Sequence, residues 1–237
     1  MRTIQRPFIE FECPRCSKTV SFPMDWKGSV QDCPWCSQSI VVPERPREPA
    51  REVHLSIRTP RLLLRRFSMG DERDVHEIMS DADTFRYLDW ETLGDEDVRQ
   101  WLERDGRILR LEVDRYFYFG AEILTTAKLI GLASFLYRGQ ECRDAGFNVV
   151  VNRSFRGQGY GAEIVRGVLE FAFRELNLQR VAAGCDSRNA SGLKMLQKAG
   201  MRREGEFVEA DRIRDEWVNT VWFANLRREY GAQRNEA

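Results

Sequence analysis

Two groups of residues in this chain have types and spacings that can do chemistry. The first is R-G-Q-G-Y-G, Arg156 to Gly161, set between an apolar run and a helix-like stretch. Gly157, Gly159 and Gly161 alternate with larger residues, and glycine admits backbone conformations that a β-carbon forbids. A turn of this kind opening a helix lets successive N–H groups converge on an anion, so the expected ligand carries phosphate. The second group is four of the six cysteines, spaced as Cys13-x-x-Cys16 and Cys33-x-x-Cys36. A two-residue gap lets both sulfurs of one turn reach the same ion, and four thiolates suit a tetrahedral Zn²⁺ site. Because cysteine fills every position, no coordination site is left open, and the expected role of the metal is structural.

The elements that must position these groups are bounded by composition. Lys plus Arg and Asp plus Glu are 37 each in 237 residues. That neutrality argues against a dedicated nucleic-acid-binding protein. No apolar run is long enough to cross a bilayer, and MRTIQRPFIEFEC lacks the apolar core of an export signal, so no membrane partner and a cytoplasmic location are expected. In that compartment paired cysteines favour metal over disulfide. A module spanning 1–42 has little core of its own, and the metal is expected to supply much of its folding energy. Its two knuckles are read as facing each other across a short hairpin, with Trp26 and Trp35 packed over it. Cys142 and Cys185 have no neighbouring basic cluster and are read as inert thiols, and His54 and His76 as solvated.

Pro43, Pro46 and Pro49 among charges mark 43–58 as a semi-extended linker, followed by a domain over 59–230 and a polar tail at 231–237. Arg61 to Phe67 reads as a strand, while Asp71 to Ser80 and Asp95 to Arg104 carry helical spacing behind acidic starts. Tyr116 to Ile123 and Lys128 to Tyr137 form an expected antiparallel hairpin. A strand from Ala145 to Val151 runs into the glycine turn, and the next helix places Ala162, Val165, Leu169, Ala172 and Leu176 on one face. After a short strand, Arg180 to Cys185, Asn189 caps a helix that ends at Gly200, and strands at Arg202 to Glu209 and Glu216 to Phe223 finish the domain. The pattern predicts an α/β (mixed α+β) fold, a mixed sheet with helices on both faces, and no internal repeat.

Which phosphate ligand the turn takes depends on its neighbours. A Walker loop needs Lys and then Ser or Thr after its last glycine, whereas Gly161 is followed by Ala162 and Glu163. A dinucleotide fold expects G-x-G-x-x-G near the start of its domain, which this G-x-G-x-G turn does not match. The spacing Arg156, Gly159, Gly161 resembles the acetyl-CoA site of the GNAT acetyltransferases. T-P-R-L-L-L-R at Thr59 to Arg65, Y-L-D-W at Tyr87 to Trp90 and the helix from Asn189 to Gly200-Met201 are similar to the RimJ/RimL branch, so the resemblance covers Thr59 to Tyr230. It implies a mostly antiparallel sheet, acetyl-CoA as co-substrate, and direct transfer of the acetyl group to an amine, either a protein N-terminal α-amine or a small amine. It also implies that backbone groups of Val149 and Val151 hold the pantetheine arm. The amides of Arg156, Gly157, Gln158, Gly159, Tyr160 and Gly161 would hold the pyrophosphate, and Asn189 would touch the arm. The cysteine module resembles the zinc ribbons attached to many bacterial enzymes, and its expected use is to dock a macromolecular partner.

An aliphatic amine has a pKa of roughly 10.4 and an α-amine roughly 8, so a base or a water relay must remove a proton near the site. Asp144, in D-A-G-F where RimJ/RimL-like sequences often carry Glu, is the first candidate and Glu122 the second. Leu196 stands where many members place a tyrosine that protonates the departing thiolate, which leaves Ser191 or no dedicated acid. Tyr87, Trp90 and Trp101 are candidates for the acceptor entrance, with helix packing the favoured reading of Trp101. Two other classes stay open. Leu196 and the short Asp144 fit a non-catalytic acyl-CoA-binding regulator, and the ribbon fits a nucleic-acid-binding protein with an acyl-CoA sensor.

Overall fold

Each cysteine pair sits at the tip of its own hairpin: β1 (Phe8–Glu12) pairs antiparallel with β2 (Thr19–Pro23), and β3 (Val30–Asp32) with β4 (Ser39–Val41). These and the following features come from a computed structural model that describes residues 8–23, 26–43, 51–53, 55–107, 110–139 and 143–230. The tips are one structure built twice. Ser17 N donates to Cys13 O at 2.9 Å and Ser37 N to Cys33 O at 2.8 Å, and both serines are left-handed, at φ 58° and 55°. Cys-Pro-x-Cys-Ser is therefore an internal repeat that the sequence reading missed, and the single expected hairpin is replaced by two. Ile9, Phe11, Val20, Phe22, Ile40 and Val42 pack around Cys13 and Cys33 as this unit's core. Trp26 packs on Phe22, while Trp35 donates Nε1–H to Thr19 O and lies under the Lys18 ammonium.

The chain divides into two units, Met1–Pro49 and Ala50–Ala237. The second begins inside the stretch expected to be linker, with β5 (Arg51–Glu52) and β6 (Ser56–Arg58), because Leu55 and Ile57 are buried in its core. Then come β7 (Leu62–Arg65), α1 (Glu72–Met79) behind a 3₁₀ turn, and α2 (Asp95–Trp101) running into a π-helical turn at Leu102–Gly106. β8 (Arg110–Leu111) pairs with β5, and β9 (Tyr116–Ile123), β10 (Leu129–Tyr137) and β11 (Asp144–Val151) follow. α3 (Tyr160–Glu170) continues as a π-helical turn at Phe171–Glu175. β12 (Arg180–Asp186), α4 (Ala190–Lys198), β13 (Arg202–Ile213) and β14 (Glu216–Leu226) complete the unit.

Eight strands form one sheet in the order β13-β14-β12-β11-β10-β9-β7-β6, with β11 and β12 its parallel pair and the other neighbours antiparallel. Helices cover both faces. Val75, Ile78 and Met79 of α1 and Val98 and Trp101 of α2 pack with Phe67, Leu132 and Val150. The apolar face of α3 packs with Leu62, Leu64, Phe119 and Phe135 on the other side. Alternation along β11 sends Val150 to the first cluster and Val149 and Val151 to the second.

Candidate active site

β11 and β12 stay in parallel register only from Asp144–Arg180 to Gly146–Ala182, after which the pair ends while β11 runs on to Val151. The strands open as a wedge. Phe147 to Val151 on one side and Ala183 and Gly184 on the other line a cavity of about 470 Å³. The glycine turn closes one end of it. Gly157 and Gly159 take φ of 77° and 84°, which a side chain strains, but Gly161 serves a different purpose. A β-carbon there would lie 2.7 Å from Met195 Sδ, so this glycine permits close approach of α3 to α4. Tyr160, Gly161 and Ala162 open α3 and line the cavity, and the N–H groups of a first turn have no partner within their helix. That geometry, with the positive end of the helix dipole, is an anion cradle.

The turn is braced from far away in sequence. Glu163, 3% exposed, accepts from Thr59 Oγ1 (2.6 Å), Arg61 N (2.8 Å) and Arg61 Nε (2.7 Å). Arg61 also donates Nη1–H to Gln158 O at 3.1 Å and lies 4.2 Å over the Tyr160 ring. Burial by itself would raise the Glu163 carboxyl, but the bonds from Thr59 and Arg61 outweigh it and hold the pKa below the ordinary value. T-P-R thus has a physical task, fixing the donor turn. No local pattern in the sequence reveals it, because the partners are about a hundred residues apart.

Of the expected site residues, Val149, Val151, Arg156, Gly157, Gly159, Tyr160, Gly161, Asn189 and Ser191 come together in the cavity wall. Gln158 does not, since its carbonyl accepts from Arg61 and its amide reaches Ser154 O. Asn189 caps α4, its Oδ1 accepting from Gly192 N and Ser191 Oγ at 2.9 Å each. The two candidate bases stand elsewhere. Asp144 begins β11, three residues and about 10 Å before Phe147, the first residue of that strand to line the wedge, at about 3.3 Å per residue. Glu122 is ion-paired with Arg65 at 2.6 Å, and Arg65 also grips Asp71. Neither is among the described lining residues, so the cavity lends neither of them support as the base.

Leu196 fills the usual tyrosine position as a buried side chain at the cavity wall. The Cys185 thiol is pushed up to about 12 by burial and the neighbouring Asp186, which leaves it protonated at neutral pH. Cys142 and His54 lie outside the described residues. His76 is not simply solvated, because its Nε2 lies 3.1 Å from Asp95 Oδ1. Trp101 packs edge-on against Phe67 and Tyr118, Trp90 packs on Phe85, and Tyr87 lines the cavity. The sequence reading missed Asp83, Thr84, Asn148, Lys194 and Lys198, which also line it. In the smaller unit the Sγ atoms of Cys13, Cys16, Cys33 and Cys36 lie within 4.8 Å of one another, with Cys13–Cys36 and Cys16–Cys33 at 3.8 Å.

Residues 61–202 match the family model described as an acetyltransferase (GNAT) domain. The chain belongs to the GNAT acetyltransferase family. This GNAT domain is 29% identical over 177 residues to the uncharacterized N-acetyltransferase YnaD of Bacillus subtilis, spanning 74% of this chain and 99% of that one. It is 23% identical over 150 residues to a spermidine N(1)-acetyltransferase of Vibrio cholerae, spanning 62% and 83%. A GNAT-family acetyltransferase from Bacillus anthracis has TM-score 0.65 and 28% identity, over 73% of this chain and 99% of that one. The Vibrio cholerae spermidine N-acetyltransferase solved with CoA and spermine shares the fold, with TM-score 0.62 and 20% identity over 73% and 99%. The GNAT chain is accordingly an acyltransferase.

Proposed function

We propose that this GNAT domain transfers the acetyl group of acetyl-CoA directly to a cationic amine. The observation that carries the reading is the cavity itself, which joins the wedge strand, the anion cradle and the 83–88 segment in one space. The open edge of Phe147 to Val151 suits the amide groups of a pantetheine arm, and the first turn of α3 suits the pyrophosphate. The amine lone pair attacks the thioester carbonyl, the C–N bond forms, the C–S bond breaks, and CoA leaves as a thiolate. Among the described lining residues the carboxylate is that of Asp83, already paired with Arg156 at 3.0 Å. The amine therefore gives its proton to water. Ser191 Oγ already donates to Asn189, so the thiolate also takes its proton from solvent.

Cationic acceptors are favoured by the segment 81–97, which carries seven carboxylates against Arg86 alone. The substrate named for the Vibrio cholerae relative is such a cation. The test is thiol release from acetyl-CoA with spermidine, aminoglycosides and peptides bearing free N-termini. Turnover of spermidine is expected, with kcat/KM rising about tenfold per pH unit until the acceptor's own pKa is reached. Tight acetyl-CoA binding without thiol release for any amine would instead make the chain a non-catalytic acyl-CoA-binding regulator.

A second reading, a protein N-terminal acceptor docked by the cysteine unit, is favoured by the exposed Val30, Trp35 and Val41 of that unit. Faster turnover of peptides than of spermidine would select it. The same unit fits a structural Zn²⁺ held by Cys13, Cys16, Cys33 and Cys36. Thiolates at about 2.3 Å from a tetrahedral ion stand roughly 3.8 Å apart, the spacing of the Cys13–Cys36 and Cys16–Cys33 pairs. Arg15 N–H also points at Cys13 Sγ at 3.4 Å, which suits a thiolate ligand.

A further inference from the structure

Every nitrogen of the Arg156 guanidinium is engaged by protein. Nε donates to Val151 O at 3.0 Å, Nη1 to Asp83 Oδ2 at 3.0 Å and Nη2 to Thr84 Oγ1 at 2.7 Å. The partners on the 81–84 turn are themselves fixed. Asp83 N donates to Asp81 Oδ1 at 3.1 Å, and Thr84 gives its single hydroxyl hydrogen to Asp81 Oδ2 at 3.0 Å. Only a lone pair of Thr84 is then left for Arg156, and the observed bond uses it. Beyond the turn, Phe85 is fully buried against Trp90, whereas Arg86, Tyr87 and Leu88 line the cavity. Arg156 therefore joins the end of the wedge strand, the donor turn to which its own backbone belongs, and the segment facing the acceptor.

We propose that Arg156 is a positioning residue that ties the 83–88 segment to the donor turn, and that its side chain is not a phosphate ligand. The proposal rests on the acetyl-CoA reading for its consequence, that placement of the acceptor wall depends on this tie. Moving the guanidinium to a phosphate would break its bonds to Asp83 and Thr84 and leave the Asp83 carboxylate without that partner. Lys194 and Lys198 line the same cavity, and among the described residues neither forms an ion pair, so the cavity holds cations that are not engaged in this way.

The test uses the full-length protein with Arg156→Gln, Arg156→Lys and Thr84→Val. It measures acetyl-CoA Kd by calorimetry, amide hydrogen exchange over 81–88, and KM and kcat for spermidine. For Arg156→Gln and Thr84→Val, exchange over 81–88 is expected to quicken and spermidine KM to rise, each by about tenfold, with acetyl-CoA Kd within about twofold of wild type. Arg156→Lys should restore part of the effect, since an ammonium keeps the charge beside Asp83 but not the fork. Tenfold weaker acetyl-CoA binding in Arg156→Gln with 81–88 exchange unchanged would overturn the proposal, as would no change in either. If wild-type protein fails to bind acetyl-CoA, the proposed function is what fails. The exchange comparison needs no substrate and still decides whether the tie exists, and Thr84→Val decides it if Arg156→Gln does not fold.

Discussion

Glu163 is 3% exposed and ionised, and it carries the contacts that hold the donor turn to the short connection between β6 and β7. Its folded pKa lies below the unfolded value of about 4.3. The stabilisation is therefore fully present above about pH 4.3 and is lost as pH falls through the folded value. Glu163→Gln should lower stability at pH 7 by about 1–2 kcal/mol, the half-exposed Arg61 keeping the effect small. Melting followed from pH 7 to pH 3 should show the wild type losing stability more steeply than the variant, and parallel curves would contradict the assignment. The residue type at 163 could be read from the sequence; its importance could not, because a glutamate in the first turn of a helix looks like an ordinary dipole partner. Asp144 shows the opposite case. Its identity suggested chemistry, and it stands at the start of β11, three residues before the part of that strand that lines the cavity.

The wedge belongs to the element scale, since it depends on how three strands pass one another. Gly131 of β10 faces Val151 in register, and a β-carbon there would meet Val150 O and Ile164 Cδ1, both at 2.9 Å. One of those contacts is backbone, so β11 itself must shift. Gly131→Ala is expected to cost about 1–3 kcal/mol and to weaken acetyl-CoA binding by moving the strand that lines the cavity. Gly157→Ala is the contrast, with nothing within 4 Å but φ at 77°, so its cost of about 1 kcal/mol is backbone strain confined to the turn. Thermal melting and acetyl-CoA calorimetry on the two variants separate a displaced strand from a strained turn. Helical spacing and apolar alternation made most of these elements legible in advance. The point at which β11 and β12 part was not legible, because it is a property of the pair and neither strand carries it alone.

At the scale of the whole molecule the chain is two units with separate cores, one built around cysteines. The full-length protein is expected to carry about one Zn²⁺ per chain by metal analysis. Cys33→Ser or chelation should release the ion and expose residues 8–43 to proteolysis, because metal binding and folding are linked in so small a unit. Acetyl-CoA Kd should stay unchanged, and a parallel loss of acetyl-CoA binding would contradict the independence of the two cores. The sequence by itself determined the pieces whose physics is local: the Cys-x-x-Cys knuckles, the glycine turn opening a helix, the Asn189 cap and the alternating strands. Tertiary structure alone decided what those pieces do together. Thr59 and Arg61 reach Glu163, Arg156 reaches Asp83 and Thr84, and Glu122 is drawn into an ion pair with Arg65. Such contacts join residues far apart in the chain, and their energies depend on burial and angle, which no short stretch of sequence encodes.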